Sequence, residues 1–103
     1  MQKIIAQVKV VPLGTGDTSL SRYVAEVEKI LKKYTELNSI LTPMATVIEG
    51  DIDQIFKAVR EMHEAPFLNG ALRVSTQLSI DDRRDKEVSM QGKIDSVKTL
   101  MNK

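Results

Sequence analysis

Cysteine is absent from this chain of 103 residues. Its absence excludes disulfides, thiolate nucleophiles, sulfur-ligated zinc and iron–sulfur clusters. A reducing compartment is compatible with this composition. The one histidine, His63, has no second histidine at metal-binding spacing, so the sequence predicts no metal site. A lone histidine at the edge of a helix's apolar face is typical of a structural side chain.

Aromatic residues are scarce, with two tyrosines and two phenylalanines. All four lie on or beside segments with helical spacing, whereas an RNA-recognition sheet needs aromatic side chains on its strands to stack on bases. Neither sign of charge is in large excess, because the chain has 15 basic and 14 acidic residues and a net charge of +1. We therefore expect no nucleic-acid partner.

Long apolar runs are missing too. None approaches the roughly 20 residues that a membrane-spanning helix needs, and the N-terminus lacks the features of a secretory signal. With 42% hydrophobic and 28% charged residues, the composition is typical of a globular protein. We expect a cytoplasmic location, no membrane partner, and one domain over residues 1–103.

Strands are predicted in four segments. Ile4 to Val11 and Leu72 to Ile80 alternate apolar and polar residues at a period of two. This pattern indicates a sheet with one face in the core and one polar face. A β-branched segment interrupted at Pro43 predicts two shorter strands, Ser39 to Thr42 and Ala45 to Glu49.

Three further segments carry apolar residues at helical spacing. Thr18 or Ser19 is the predicted cap of the first. The second begins at Asp51, which with Gln54 resembles a capping box, and Pro66 is expected to stop it shortly afterwards. Gly92 weakens the third by roughly 1 kcal/mol, so this helix is expected to depend on docking. The apolar stripes contain Leu20, Val24, Val27, Leu31 and Tyr34; Ile52, Ile55, Phe56, Val59 and Met62; and Met90, Ile94, Val97, Leu100 and Met101.

The order strand, helix, strand, strand, helix, strand, helix predicts an α+β fold. It corresponds to the ferredoxin-like βαββαβ antiparallel sheet with an additional C-terminal helix. The two helical crossovers place the first strand centrally beside the last, with both helices on one face of the sheet. The polar face and the sheet edges then invite self-association.

Three local features have both a structural and a functional interpretation. The loop Pro12 to Asp17 lacks the spacing of a phosphate-binding fingerprint, and is either a plain turn or the rim of a ligand pocket. Glu49 is either a structural residue, as a solvated strand end or as an aid to the N-terminus of the next helix, or an acceptor for a cationic or amine-bearing ligand. The charged run Asp81 to Asp85 is either a solvated loop with internal ion pairs or a place where arginines hold an anion or a second subunit.

Several short motifs follow one another from the first strand to the last helix. They are Pro12-Leu13-Gly14-Thr15, Ser19-Leu20-Ser21, Thr46-Val47-Ile48-Glu49-Gly50, His63-Glu64, Arg73-Val74-Ser75-Thr76 and Arg83-Arg84-Asp85. Together they resemble the small thiamine-binding protein family, from which Ala45 departs because a glycine is expected after Pro-Met. The resemblance implies a ferredoxin-like monomer that assembles into homodimers or homotetramers. It also implies binding of thiamine or its hydroxymethylpyrimidine half, without a cofactor or an established catalytic activity.

With this resemblance, seven residues are candidates for binding a thiamine-like ligand. The Glu49 carboxylate would accept from the aminopyrimidine or balance the thiazolium cation, while hydroxyls and apolar groups would contact the rings. Arg73 or Arg83 would meet a phosphate, if the ligand carries one. The candidates are Ser19, Ser21, Met44, Thr46, Glu49, Arg73 and Thr76.

The sequence therefore predicts a non-enzymatic, homo-oligomeric protein that binds a small molecule and has no catalytic residue. Two alternatives stay open. One is a structural or regulatory oligomeric module. The other is a weak enzyme in which Glu49 and His63 act as acid and base on a small heterocycle, which requires both to lie within reach of one ligand.

Overall fold

The computed structural model describes residues 2–103, which form four strands and three helices. In chain order these are β1 (Lys3–Leu13), α1 (Ser21–Lys32), β2 (Asn38–Leu41), β3 (Thr46–Asp51), α2 (Ile52–Leu68), β4 (Arg73–Asp81) and α3 (Met90–Met101). The sheet order is β2-β3-β1-β4, and every neighbouring pair is antiparallel. This arrangement confirms the predicted ferredoxin-like plan with its additional C-terminal helix.

The central strand β1 is longer than its neighbour β3. It pairs with β4 from Ile5 to Leu13, but with β3 only from Lys3 to Val8. Beyond Val8, β1 therefore continues with no β3 partner, since β3 starts at Thr46 opposite Val8. This difference in strand length leaves a gap on one side of β1, close to α1.

The core lies between the sheet and the layer formed by α1 and α2. Ile4, Ala6 and Val8 point toward the helices and are almost completely buried, as the alternation in β1 predicts. They meet Val27 and Leu31 of α1, and Ile55, Ala58 and Met62 of α2. Burying each large aliphatic side chain stabilises the fold by about 1.5–3 kcal/mol.

Helix α2 begins as its sequence predicts and ends slightly later. The Asp51 carboxylate accepts a hydrogen bond from the Gln54 amide at 3.2 Å, which confirms the predicted cap. The helix passes through the buried Pro66 and ends at Leu68. Phe56 was predicted to be in the buried stripe, and this is wrong, because its side chain is half exposed. The small Ala58 takes its place on the buried face and lets the helix approach the sheet closely.

The start of α1 differs from its prediction. Helix α1 begins at Ser21 without a side-chain cap, so the cap at Thr18 or Ser19 is wrong. The preceding loop satisfies its own groups instead, since the Asp17 carboxylate accepts from the Ser19 amide at 2.9 Å. The short hairpin keeps its predicted interruption, because the Thr42 amide donates to the Ala45 carbonyl at 2.9 Å.

Helices α1 and α2 are also joined by a tyrosine that follows α1. The Tyr34 hydroxyl donates to the Glu61 carboxylate at 2.5 Å. This hydrogen bond to Glu61, with burial and the negative charge of Glu61, raises the pKa of Tyr34 to about 12. The neutral, donating form of the tyrosine is therefore the one that links the two helices.

The last two elements bury less than their patterns predict. Leu72 lies outside β4 and is fully exposed, so its predicted place on the core face is wrong. Helix α3 forms with Ser89 as its cap, since the Ser89 hydroxyl accepts from the Gly92 amide at 2.9 Å. Its apolar side chains are uncovered within the protomer, at 57% exposure for Val97 and 67% for Leu100. The docking that this helix was predicted to need is therefore not supplied by its own protomer.

Candidate functional site

An open cleft of about 950 Å³ occupies the gap beside the unpartnered end of β1. One wall is the flank of α1, and the opposite wall is the turn between β2 and β3, at residues 42–45. Most of the lining is apolar and includes Val8, Val10, Val24, Leu41, Pro43 and Met44. A cleft of this size and lining, with a few polar groups, is typical of a small-molecule site.

The inner wall carries a paired carboxylate and hydroxyl. Thr46, only 5% exposed, donates from its hydroxyl to Oε1 of Glu28 at 3.0 Å. The second oxygen, Oε2 of Glu28, accepts no hydrogen bond from residues 2–103. Since an ionised carboxylate can accept several hydrogen bonds, this oxygen is available to a ligand that donates one.

Three of the seven residues predicted to bind a ligand lie together in this cleft. Ser21 is in the first turn of α1, Met44 is at the mouth with 72% of its surface exposed, and Thr46 is on the inner wall. The local structure explains this grouping, because the first turn of α1 and the β2–β3 turn both flank the free end of β1.

Glu49 lies on the opposite face of the sheet. In β3, Thr46 and Ile48 point toward the helices. Because successive residues of a strand point to opposite faces, Glu49 points away from the helices. The residue is 9% exposed, and its carboxylate accepts from the Asn38 side-chain amide at 3.0 Å and from the Met90 amide at 2.7 Å. Glu49 thus serves the N-terminus of α3. The predicted structural role, a solvated strand end or assistance to the next helix in the chain, is wrong, because Glu49 is largely buried and Asp51 caps that next helix, α2.

Thr76 and His63 form a pair outside the cleft. His63 Nδ1 lies 2.7 Å from the Thr76 hydroxyl, and the His63 ring packs edge-on against Phe67. These residues are on the helix-covered face, while Glu49 is on the other face of the sheet. The alternative in which Glu49 and His63 act together on one ligand is therefore contradicted by their positions.

The other candidates are distributed around the surface. Ser19 is exposed in the loop before α1, and Arg73 is exposed at the start of β4. Arg83 engages Asp85 with Nε at 2.5 Å and Nη2 at 2.8 Å. This bidentate contact lowers the pKa of Asp85 to about 2. Arg84 binds Asp82 in the same way, so the charged run forms internal ion pairs.

Glu28 is the functional candidate that sequence reasoning missed. Its signal is present, since Glu28 is four residues after Val24 and three before Leu31, two members of the apolar stripe of α1. A carboxylate at such a position faces the sheet side of the helix rather than solvent. An acidic residue within an apolar stripe is a polar group in need of a partner, and here the partner is Thr46.

Two general properties accompany this site. No helix within residues 2–103 combines the length and apolar character needed to cross a bilayer. Across the same residues, no group of three or more histidine, cysteine, aspartate or glutamate side chains is arranged to hold a metal ion.

The fold is that of the ferredoxin-like α+β class. The family model described as thiamine-binding protein matches residues 6–98. This chain therefore belongs to the thiamine-binding protein family, as its motifs predicted.

Named relatives support the same assignment. UPF0045 protein YqgV of Bacillus subtilis is 48% identical over 96 residues, which cover 90% of this chain and 92% of that protein. UPF0045 protein MJ1052 of Methanocaldococcus jannaschii is 41% identical over 100 residues, 97% of each chain. The crystal structure of MJ1052 has a TM-score of 0.85 and covers 94% of this chain and 97% of its own.

A more distant structure shares the fold. A Thermotoga maritima protein, provisionally assigned to thiamine biosynthesis or salvage, has a TM-score of 0.73 over 92% of this chain and 98% of its own. Its sequence identity is 24%, so this likeness shows the fold alone.

Proposed function

We propose that this protein binds thiamine, or its aminopyrimidine half, in the cleft beside β1 and does not transform it. The observation that carries the proposal is the Glu28–Thr46 pair on the inner wall of an apolar cleft. Membership of the thiamine-binding family supports the ligand class. We also propose a cytoplasmic location, as the composition of the sequence predicts.

The cleft chemistry suits this ligand. An aminopyrimidine is a flat ring whose amino group donates hydrogen bonds, and the free oxygen of Glu28 accepts them. Apolar side chains such as Val24 and Met44 can pack against the ring faces. The Ser21 hydroxyl, in the first turn of α1, supplies a donor for a ring nitrogen.

The ionisable groups that line the cleft are the reason why we propose binding without chemical conversion of the ligand. Of those in the described residues, Glu28 is the one carboxylate, the others are lysines, and His63 lies elsewhere. A carboxylate that already accepts from Thr46 and faces no histidine serves recognition better than proton transfer. The cleft is open within one protomer, which favours ligand binding over a purely structural module.

Calorimetric titration of thiamine into purified, ligand-stripped protein tests the proposal. We expect saturable heat for the wild type and roughly 10- to 100-fold weaker binding for Glu28→Gln, because a hydrogen bond to a charged acceptor contributes about 1.5–3 kcal/mol. Glu64→Gln is the matched control, since Glu64 is on the exposed side of α2, paired with Arg60, and should bind as the wild type does. No heat and no thermal shift with millimolar thiamine or aminopyrimidine would overturn the proposal.

We further propose that the protein is a homodimer or homotetramer in which a second copy covers α3. The support is its uncovered apolar face, formed by Ile94, Val97, Leu100 and Met101. Contiguous apolar surface of this kind marks protein–protein contact. With a net charge of +1, two copies repel each other little.

Light scattering coupled to size-exclusion chromatography measures this assembly. We expect the wild type to have the mass of two or four chains, and Val97→Asp to shift it toward one chain, because the contact would bury the new charge. Thr99→Asp places the same charge on the opposite side of α3 and should leave the mass unchanged. A wild-type mass of a single chain at micromolar concentration would contradict the assembly.

A further inference from the structure

A row of polar residues runs along the side of α1 that faces the cleft. Ser21, Glu28 and Lys32 are spaced by seven and then four residues, so they share one helix face. Lys29 lines the same wall, one residue after Glu28. The Cα atoms of Glu28 and Lys32 therefore lie about one turn apart, a rise of roughly 6 Å along the helix.

The ammonium groups of this wall are available. Lys32 has no ion pair with residues 2–103, although Glu28 is four residues before it on the same helix. Lys29 is 3.4 Å from Glu26, and its side chain is 71% exposed, so this contact is weak. Within residues 2–103, Lys32 therefore has no ion-pair partner, and Lys29 has one exposed partner that a ligand can displace.

The side-chain charge of the wall is net positive. Glu28 contributes one negative charge, while Lys29 and Lys32 contribute two positive ones. Lys9 also borders the cleft, but Val8 and Val10 point toward the helices, so alternation directs the Lys9 side chain to the other sheet face. A bare thiazolium cation meets a wall of like sign, whereas a ligand with an anionic end matches it.

The arginines named from the sequence as phosphate partners are not near this wall. Arg83 is engaged by Asp85 in the charged run after β4. Arg73 begins β4, opposite Leu13, and does not line the cleft. Lysines of α1 are therefore the cationic groups that a ligand in the cleft can reach.

We propose that the cleft prefers a phosphate ester, of thiamine or of its aminopyrimidine, over the unphosphorylated molecule. The donating edge of the ring lies at Glu28, and the phosphate lies toward Lys29 and Lys32. A phosphate monoester carries about −1.5 to −2 charges near neutral pH, which together with the Glu28 carboxylate offsets the two lysines and the thiazolium. This inference rests on the proposed function, because it describes selectivity within the same cleft.

Parallel titrations of thiamine and thiamine monophosphate at low and high salt test this selectivity. We expect the monophosphate to bind about tenfold more tightly at low salt, with the difference shrinking as salt screens the lysines. Replacing both lysines, as Lys29→Gln with Lys32→Gln, should reduce the monophosphate to the affinity of thiamine. Lys33→Gln removes one positive charge immediately after α1, at a residue outside the cleft, and should keep the preference.

The possible results separate the two proposals. If neither ligand binds, the proposed function fails. If thiamine binds and the monophosphate binds equally or more weakly, the proposed function stands and the phosphate preference is overturned. An equal loss of preference in Lys33→Gln would also overturn the phosphate preference as a property of the cleft. The effect would then come from the overall positive charge and not from contact with Lys29 and Lys32. Inorganic phosphate alone should compete weakly, since it lacks the ring that reaches Glu28.

Discussion

Gly50→Ala is expected to lower the free energy of unfolding by about 2–4 kcal/mol. Gly50 has a φ of +154° in β3, where side-chain-bearing residues are strained. A Cβ added there would lie 2.5 Å from Cδ2 of Leu37, which is itself buried. The substitution therefore combines backbone strain with displacement of a packed leucine.

Chemical denaturation of Gly50→Ala beside Gly14→Ala isolates the packing part. Gly14 also has a positive φ, of +73°, but an added Cβ would meet nothing within 4 Å. We expect that control to lose roughly 1 kcal/mol, from backbone strain alone. Leu37→Ala added to Gly50→Ala should show non-additivity, because it removes the atom that the new methyl group meets. Equal losses for Gly50→Ala and Gly14→Ala would show that Leu37 is not in close contact.

Glu49→Ala is expected to destabilise the protein by about 2–3 kcal/mol and to release α3. The substitution leaves the Met90 amide and the Asn38 side-chain amide without their charged acceptor in a largely buried place. Hydrogen exchange of the α3 amides should then accelerate more than exchange in the core strands. Glu64→Ala, which removes an exposed ion pair with Arg60, should change the stability by less than about 0.5 kcal/mol.

Measuring the ligand affinity of Glu49→Ala and of Glu28→Ala distinguishes between Glu49 and Glu28 as the carboxylate that binds the ligand. If the cleft binds thiamine through Glu28, Glu49→Ala keeps the affinity of the folded protein while Glu28→Ala loses it. A loss of affinity in Glu49→Ala, measured well below its unfolding transition, would instead restore the role that the sequence suggested for Glu49.

Much of the fold is predictable because its amphipathic patterns are strong. The alternation in β1 and the 3.6-residue stripes of α1 and α2 determine which faces meet, and the order of elements then limits the topology. Wrong predictions of burial arise where an apolar pattern includes more residues than the opposing layer covers. Leu72 and Phe56 continue apolar patterns, yet each lies beyond the area that the opposing layer covers.

The site was less predictable because it depends on a difference in strand lengths. Ser21 and Met44 lie far apart in the sequence and come together only because β3 begins at Thr46 and leaves β1 unaccompanied beyond Val8. The alternation rule could have separated two candidates, since Thr46 and Glu49 are three residues apart in one strand and must face opposite sides. The stripe of α1 likewise contained the signal for Glu28.

Helix α3 meets the rest of the protomer mainly at its first turn, through Glu49 and an ion pair between Lys93 and Asp81. Substitutions beyond that turn alter what the helix touches outside the protomer and leave the walls around Glu28 unchanged. We therefore expect descendants of one ancestral gene to diverge in quaternary arrangement while they retain the same ligand.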